Sequence, residues 1–358
     1  KDKTTFVLGV RTTYSDWIFK ALPEEYKKSS ASFDDATIHI SHKLNNKNNL
    51  YLNGYISGDK FNLNSDTNYA YQNKNADIKW KHSFNNRFYS VVTVGVDNYD
   101  YAVTGYNNPV NEFKLAYSIN QDKFNADFNY FLNNKHKLTF GVSSLLYNIH
   151  SGTFIPIGKE SLIVPDTIEA EHALESAAYV SDHFDITSKF SVEGGIRYSL
   201  YNYLGPKHVN VYAPGLPREE SNLTGVDFYP SGKNIITYGG PEYRASARYS
   251  LSENTSVKTA FNTTRQYIQM ISNTTTISPT DVWKLSDPNI KPQFGSQVSL
   301  GLYKNFKSNT IETSVEVYYK KIQNYLDYKS GAVLIMSPHI ETDVFTTLGK
   351  SYGIEFRV

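Results

Sequence analysis

The sequence predicts an all-β fold: a transmembrane, antiparallel, up-and-down β-barrel of which about fourteen strands are present. Three observations carry this. Apolar and polar residues alternate with period two along most of the 358 residues, as they do in a strand with one apolar and one polar face. The connections between alternating segments are tight and long by turns. Aromatic residues reach 15% of the chain, with 29 tyrosines and 20 phenylalanines, while cysteine is absent and methionine occurs twice. A helical enzyme seldom has this profile; a β protein with tyrosine at two kinds of surface does.

The alternating segments begin, in chain order, near Lys3, Phe33, Asn49, Asn75, Arg87, Asn111, His136, Ile168, Lys189, Tyr238, Asn254, Pro292, Asn309 and Lys350. Their faces follow from the period. From Asn75, Ala76, Ile78, Trp80 and Phe84 share one face, with His82 the exception, against Asp77, Lys79, Lys81 and Ser83. From Tyr243, the apolar set Tyr243, Ala245, Ala247, Tyr249 and Leu251 opposes Arg244, Ser246, Arg248 and Ser250. Val298, Leu300, Leu302 and Phe306 alternate with Ser299, Gly301 and Asn305. Ile311, Val315, Val317 and Tyr319 alternate with Glu312, Ser314, Glu316 and Lys320; Tyr352, Ile354, Phe356 and Val358 alternate with Gly353, Glu355 and Arg357.

Tight polar turns are read at 44–48, 84–87, 132–135, 185–188, 251–254 and 306–309. Longer links are read at 15–32, 61–74, 151–167, 205–237, 272–291 and 327–349, with the short link at 105–109 as the exception. Tight turns then lie at one end of a meander and long loops at the other, the layout of bacterial outer-membrane barrels. A bilayer leaves unpaired backbone groups without water, so such a meander must close. Lipid then faces one side of each strand and a wet or plugged lumen the other. A soluble sandwich or propeller would also alternate. Against it stand segments longer than an ordinary strand, such as 112–132 and 238–251, and aromatics at strand ends (Phe84 with Phe88 and Tyr89, Tyr130 with Phe131, Tyr318 with Tyr319). No blade-length repeat is present either.

Composition narrows the function classes. Lys plus Arg number 36 and Asp plus Glu 35, a formal charge of +1, which argues against a nucleic-acid binder working by bulk charge. The longest apolar run, 332–336, is far below the roughly 20 residues of a membrane helix. No charged-then-apolar leader follows Lys1, so a secretory signal is expected to be absent or removed. Without cysteine, disulfide scaffolds and thiolate metal sites are excluded. The nine histidines are His39, His42, His82, His136, His150, His172, His183, His208 and His339. None has metal-ligand spacing, and no nucleophile elbow or phosphate loop occurs, so the chain reads as no enzyme, with no metal site and no cofactor.

On the polar face, Glu193 and Arg197 point into the lumen from one strand and Arg244 and Arg248 from the next, with Glu193 and Arg248 expected at similar heights; Glu312 and Glu316 repeat the spacing later. As plain structure they form a ladder of cross-strand ion pairs on a wet wall, each contributing about 0.2–1 kcal/mol.

Several stretches in order resemble the barrel of TonB-dependent outer-membrane receptors: Gly194-Gly-Ile-Arg-Tyr-Ser-Leu200, Arg265-Gln-Tyr-Ile-Gln-Met-Ile-Ser-Asn-Thr274, Asp281-Val-Trp-Lys-Leu-Ser-Asp-Pro-Asn-Ile-Lys-Pro-Gln293 with Glu312 to Tyr319 after it, and Gly349-Lys-Ser-Tyr-Gly-Ile-Glu355. Pro288 and Lys291-Pro292 resemble the point where such receptors anchor a long outer loop. The resemblance spans essentially the whole chain. It implies a barrel of 22 strands, so that residues 1–358 are an incomplete barrel segment without plug domain. No energy-coupling box stands near Lys1, and Glu355-Phe-Arg-Val358 has no terminal aromatic residue of the usual kind.

What the resemblance implies is energy-coupled uptake of a scarce solute (siderophore, vitamin, oligosaccharide or peptide) across the outer membrane of a Gram-negative bacterium. The implied partners are the plug domain of the same protein, the TonB complex acting through that plug, and outer-membrane lipid; a surface lipoprotein is left open and nucleic acid is not expected. The lumen charges would then meet the plug. Ligand capture falls to the long-loop end: Tyr201 and Tyr203 at a strand end, the loop 207–232, and Gln266 to Trp283, because rings beside amides suit sugars, chelates or peptides. The competing reading is that these aromatics pack the loops together, and Trp17, Trp80 and Trp283 also suit interface anchors. Two alternatives stand beside uptake: a complete passive porin-like channel of about fourteen strands, and a surface-exposed β protein that binds glycans or proteins without transport.

Overall fold

The computed structural model describes residues 3–13, 15–63, 66–271, 282–306 and 310–358. Nineteen strands form: β1 (Thr4–Thr12), β2 (Ser30–Lys43), β3 (Asn48–Leu63), β4 (Thr67–Asn85), β5 (Phe88–Gly105), β6 (Phe113–Phe131), β7 (His136–Pro156), β8 (Asp166–Thr167), β9 (Glu171–Asp185), β10 (Phe190–Leu204), β11 (Lys207–Tyr212), β12 (Leu223–Tyr229), β13 (Asn234–Ser252), β14 (Thr255–Gln266), β15 (Ile268–Ile271), β16 (Val282–Leu285), β17 (Gln293–Phe306), β18 (Ile311–Tyr328) and β19 (Val344–Arg357). One sheet runs β1-β2-β3-β4-β5-β6-β7-β9-β10-β13-β14-β17-β18-β19, with β8 paired to β7 beside that path; β11-β12 and β15-β16 are separate hairpins. Each of the fourteen alternating segments is one strand of the path, and every pairing along it is antiparallel between consecutive path strands, as a meander requires.

The order starts at β1 and stops at β19, so among the described residues the sheet is open. The closure expected from the bilayer argument is not reached among these residues, which supply an arc of wall with two open edges.

The register fixes the two faces. Rows of Cα partners such as Leu52–Ile78–Val94–Phe124 and Ile196–Tyr243 carry exposed apolar side chains. Partners directly opposite share a face, so these rows form one outer belt. At its tight-turn rim lies a chain of rings: His82 against Phe84 (4.5 Å), Phe84 against Phe88 (4.5 Å), Phe128 against Phe140 (5.2 Å) and His136 against Phe184 (4.0 Å). His82, the exception in the apolar face, belongs to this rim. Along β4 the belt runs from Phe84 to Ala76, about the 9–11 residues that a tilted strand needs to cross a bilayer.

Above the belt the outer face turns polar: Lys74 and Gln72 on β4, Asn98 and Asp100 on β5, Asn120 and Ser118 on β6. This explains where the expected links were too long. β3 reaches Leu63 and β4 starts at Thr67, so the connection expected at 61–74 is three residues, of which 64–65 lie outside the described set. Strand residues with water on the outside do not alternate, and the period-two signal dies before the strand does. The same holds at 327–349, where β18 runs to Tyr328 and β19 begins at Val344. The links at 205–237 and 272–291 hold the hairpin β11-β12 and strand β16 respectively. In the last tight turn, residues 307–309 lie outside the described set.

Candidate ligand site on the inner face

The inner face is the one onto which a connection folds back. After β14 the chain does not loop away; Tyr267 is buried and the β15-β16 hairpin lies against β7 and β9. Local chemistry explains the turn that returns it to the wall. Asp287 Oδ1 accepts from the backbone N–H groups of Asn289 and Ile290 (both 2.7 Å), and Pro288 sets the dihedral between them. Ser286 N–H donates to Tyr267 O (2.8 Å), which closes the base of the hairpin.

Three anchors hold this segment. The Lys284 ammonium donates to Glu171 of β9 and to Asp287 (2.6 Å), while Glu171 also accepts the Leu285 backbone N–H (2.9 Å). Burial by itself lowers the pKa of Lys284; the charges of Asp287 and Glu171 more than reverse this, and the ammonium stays protonated. Tyr267 stacks on Tyr201 (centroids 4.6 Å apart, planes 4°), and Tyr201 Oη donates to Ser286 O (2.7 Å). Leu285, Tyr203, Tyr147 and Ile149 close the apolar cluster around them. Lys207 Nζ, whose pKa burial pushes down more than the nearby Glu171 lifts it, donates to Glu169 O (2.8 Å) beside the same cluster.

Beneath the hairpin lies a second network. Arg197 bridges Glu175 and Glu242 (3.0 Å each); Glu242 also accepts from Ser199 Oγ (3.1 Å) and the Arg265 backbone N–H (3.1 Å), and Ser199 Oγ is 2.8 Å from Tyr267 Oη.

The other side of the hairpin faces across the lumen. Ile268, Met270 and Trp283 form one wall of a cavity of about 720 Å³, and Tyr55, Asp59, Tyr71, Asn73, Asn75, Asp97, Tyr99 and Gln121 on β3 to β6 contribute to the opposite wall. Cross-strand bonds stiffen that wall: Asn75 Nδ2 donates to Asp97, Lys123 Nζ reaches both Asp97 oxygens (3.0 and 3.2 Å), and Asn53 Nδ2 donates to Asp77 (2.7 Å). Gly95 lies opposite Lys123; a Cβ there would stand 2.6 Å from Lys123 Cε.

The residues singled out in the sequence fall into three groups. Tyr201 and Tyr203 are fully buried under the hairpin, packing it rather than facing open space. Gln266 is exposed and bonds its amide to Ile268 O (2.8 Å). Trp283 is half-buried on the cavity. Glu193, Arg197, Arg244, Arg248, Glu312 and Glu316 all fall on the inner face by register. The expected match in height differs: Glu193 pairs with Ser246 and Arg248 with Ser191, one step apart on the same face. The ion pairs of Arg197 run to Glu175 and Glu242, neither of which stood out in the sequence, and Glu193 is 4.0 Å from His183. Nothing in the local sequence couples Glu171 to Lys284; the acidic turn Asp287-Pro288-Asn289 was the one legible signal. Among the described residues, no three His, Cys, Asp or Glu side chains group as metal ligands. Of the other tryptophans, Trp80 stands in the outer belt and Trp17 is exposed.

An open arc of up-and-down strands, apolar outside and polar inside with a connection folded into the lumen, defines a barrel wall of the outer-membrane type. The family described as TonB dependent receptor-like, beta-barrel, matches residues 19–358, and the chain belongs to it. Members are outer-membrane barrels of Gram-negative bacteria that generally pair with a plug domain and TonB, and they act as receptors and transporters. Solved structures with the same fold include the ferric-catecholate import receptor Fiu of E. coli K12 (13% identity, TM-score 0.62, 99% of this chain and 58% of that one). The ferric citrate transporter FecA matches at 11% identity and TM-score 0.66 over 99% of this chain and 50% of its own. The Serratia marcescens hemophore receptor HasR, solved with its hemophore HasA and heme, matches at 12% and 0.63 over 91% and 51%. The chain spans about half the length of these receptors. A comparison with curated proteins finds no match.

Proposed function

We propose that this chain is part of the wall of a TonB-dependent receptor that takes up a scarce solute across the outer membrane, powered through a plug domain of the same protein. The observation that carries this reading is the inner face: a lumen connection latched by Lys284 and Glu171 that roofs a cavity, inside a wall whose outer belt is lipid-compatible. A receptor needs a lined recess, and the infolded connection supplies one wall of it. The open edges at β1 and β19 call for further strands, since backbone groups at a bilayer edge must be paired. Residues 1–358 then serve as one domain segment of the ring. Glu193, Arg244, Arg248, Glu312 and Glu316 on the inner face supply charges that a plug would meet. Trp283 contributes to solute contact, and Tyr201 and Tyr203 hold the connection that carries it.

The test uses the full gene product. It is expected in the outer-membrane fraction, extractable only with detergent, with heat-modifiable gel migration. Deleting it is expected to abolish an uptake that also stops when TonB is removed. Uptake that persists without TonB favours the passive channel, and recovery in the aqueous fraction favours the soluble binder.

A further inference from the structure

We propose that the cavity between β3–β6 and the β15-β16 hairpin binds a neutral, hydroxyl-rich ligand, a saccharide chain, rather than an anionic metal chelate. This rests on the uptake reading above and names the solute class of that site.

Size comes first. About 720 Å³ lies within the usual range of roughly 300–1,000 Å³ for small-molecule sites. The chemistry of the walls comes next. Tyr55, Tyr71 and Tyr99 bring rings from one side, and Trp283 with Met270 brings apolar surface from the other. A sugar ring presents axial C–H groups to such faces and hydroxyls at its edge. Side-chain amides suit those hydroxyls because each both donates and accepts, and Asn73, Asn75 and Gln121 stand in the same lining.

Charge then separates the solute classes. Asp59 and Asp97 both line the cavity. Lys123 neutralises Asp97 at 3.0 Å, and Lys74, although part of the lining, turns its side chain to the outer face, where its ammonium is 3.8 Å from Asp100. The strong cations of the infolded side are turned away: Lys284 is engaged by Glu171 and Asp287, and Lys207 lies close to Glu169 and Glu171. The lining therefore carries a net negative charge once these pairs are counted. A chelate with several negative charges would meet carboxylate without a matching cation, and such like-charge juxtaposition disfavours binding. A neutral polyol meets no such penalty.

The experiment probes a glycan array of neutral oligosaccharides with the labelled full-length receptor in detergent, then measures the hit by calorimetry beside ferric citrate. At least one neutral glycan is expected to bind. Trp283→Ala and Tyr99→Ala should each weaken it by about tenfold or more, the loss typical of a buried aromatic anchor. Trp283→Phe, which keeps a ring, should restore most of the affinity, and the lipid-facing Trp80→Phe should leave it unchanged. Heat-modifiable migration reports folding; should Trp283→Ala fail it, Tyr99→Ala and Trp283→Phe decide. The proposal is overturned by an array with no neutral hit, as when the plug fills the cavity, by a hit indifferent to Trp283 and Tyr99, or by ferric citrate binding that depends on them. A blank array with TonB-dependent uptake of a chelate sinks the saccharide and leaves the uptake reading. Glycan binding with uptake independent of TonB does the reverse.

Discussion

The tight-turn half and the long-loop half of this wall share the same strands and are built by different rules. Below, lipid on one side and water on the other force strict alternation: Ile78, Val94 and Phe124 outside, Asp77, Gly95 and Lys123 inside. Above, the outer face is polar, and order comes from what packs on the inner face. There Tyr201, Tyr203, Leu285 and Ile290 are buried as deeply as in a soluble core, though they sit in a lumen. One strand thus takes its stability from the bilayer at one end and from a folded connection at the other. A mutation should therefore report on whichever solvent its height selects.

The largest effect is expected where the connection is latched. Lys284→Met leaves Glu171 and Asp287 facing each other without the ammonium, and removing one partner from a buried ion pair costs about 3–5 kcal/mol. The loss should be local: limited proteolysis should newly cut the hairpin within residues 282–290 while heat-modifiable migration persists. Uncut hairpin in this variant would mean that the aromatic stack alone holds it.

Next comes the belt. Val94→Arg places a charge toward lipid and is expected to cost about 2–4 kcal/mol in refolding titrations into bilayers, whereas Asn98→Arg, four residues higher on the same face, should cost little. Equal losses at both heights would erase the boundary between the two halves.

A smaller change is expected for Tyr201→Phe. It keeps the stack on Tyr267 but leaves Ser286 O without its donor, about 1–3 kcal/mol for a buried acceptor. Hydrogen exchange at 285–290 should quicken with no change at the tight turns.

Smallest is a pH effect on the outer loops. Burial would raise the Glu169 carboxyl, but the backbone N–H and ring of His208 and the charge of Lys207 hold it below its ordinary value. A depressed carboxylate stabilises the fold above its unfolded pKa and loses that contribution as pH falls through the lower folded value. The amide of His208, which donates to Glu169 (2.9 Å), should lose protection only in that acid window. Loss already near neutral pH would remove Glu169 as the cause.

How much of this was legible depends on the solvent each residue faces. The fourteen strands, their antiparallel order and their two faces could be read because lipid and water imprint period two on the sequence, as in the run Asn75 to Phe84. Where water lies on both sides, as from Lys60 to Lys74, the imprint fades, and a long loop was expected where strands continue. Trp283 could be chosen from its surroundings in sequence, but its position on a cavity could not.

The sequence by itself determined the membrane-spanning belt, because alternation is a local property that each strand satisfies alone. Only the tertiary structure decided that residues 267–271 and 282–292 fold inward, that Lys284 meets Glu171 across 113 positions, and that Met270 and Trp283 face Tyr99 over open space. Those are contacts between distant parts of the chain, and no periodicity within either part encodes a partner that only folding brings near.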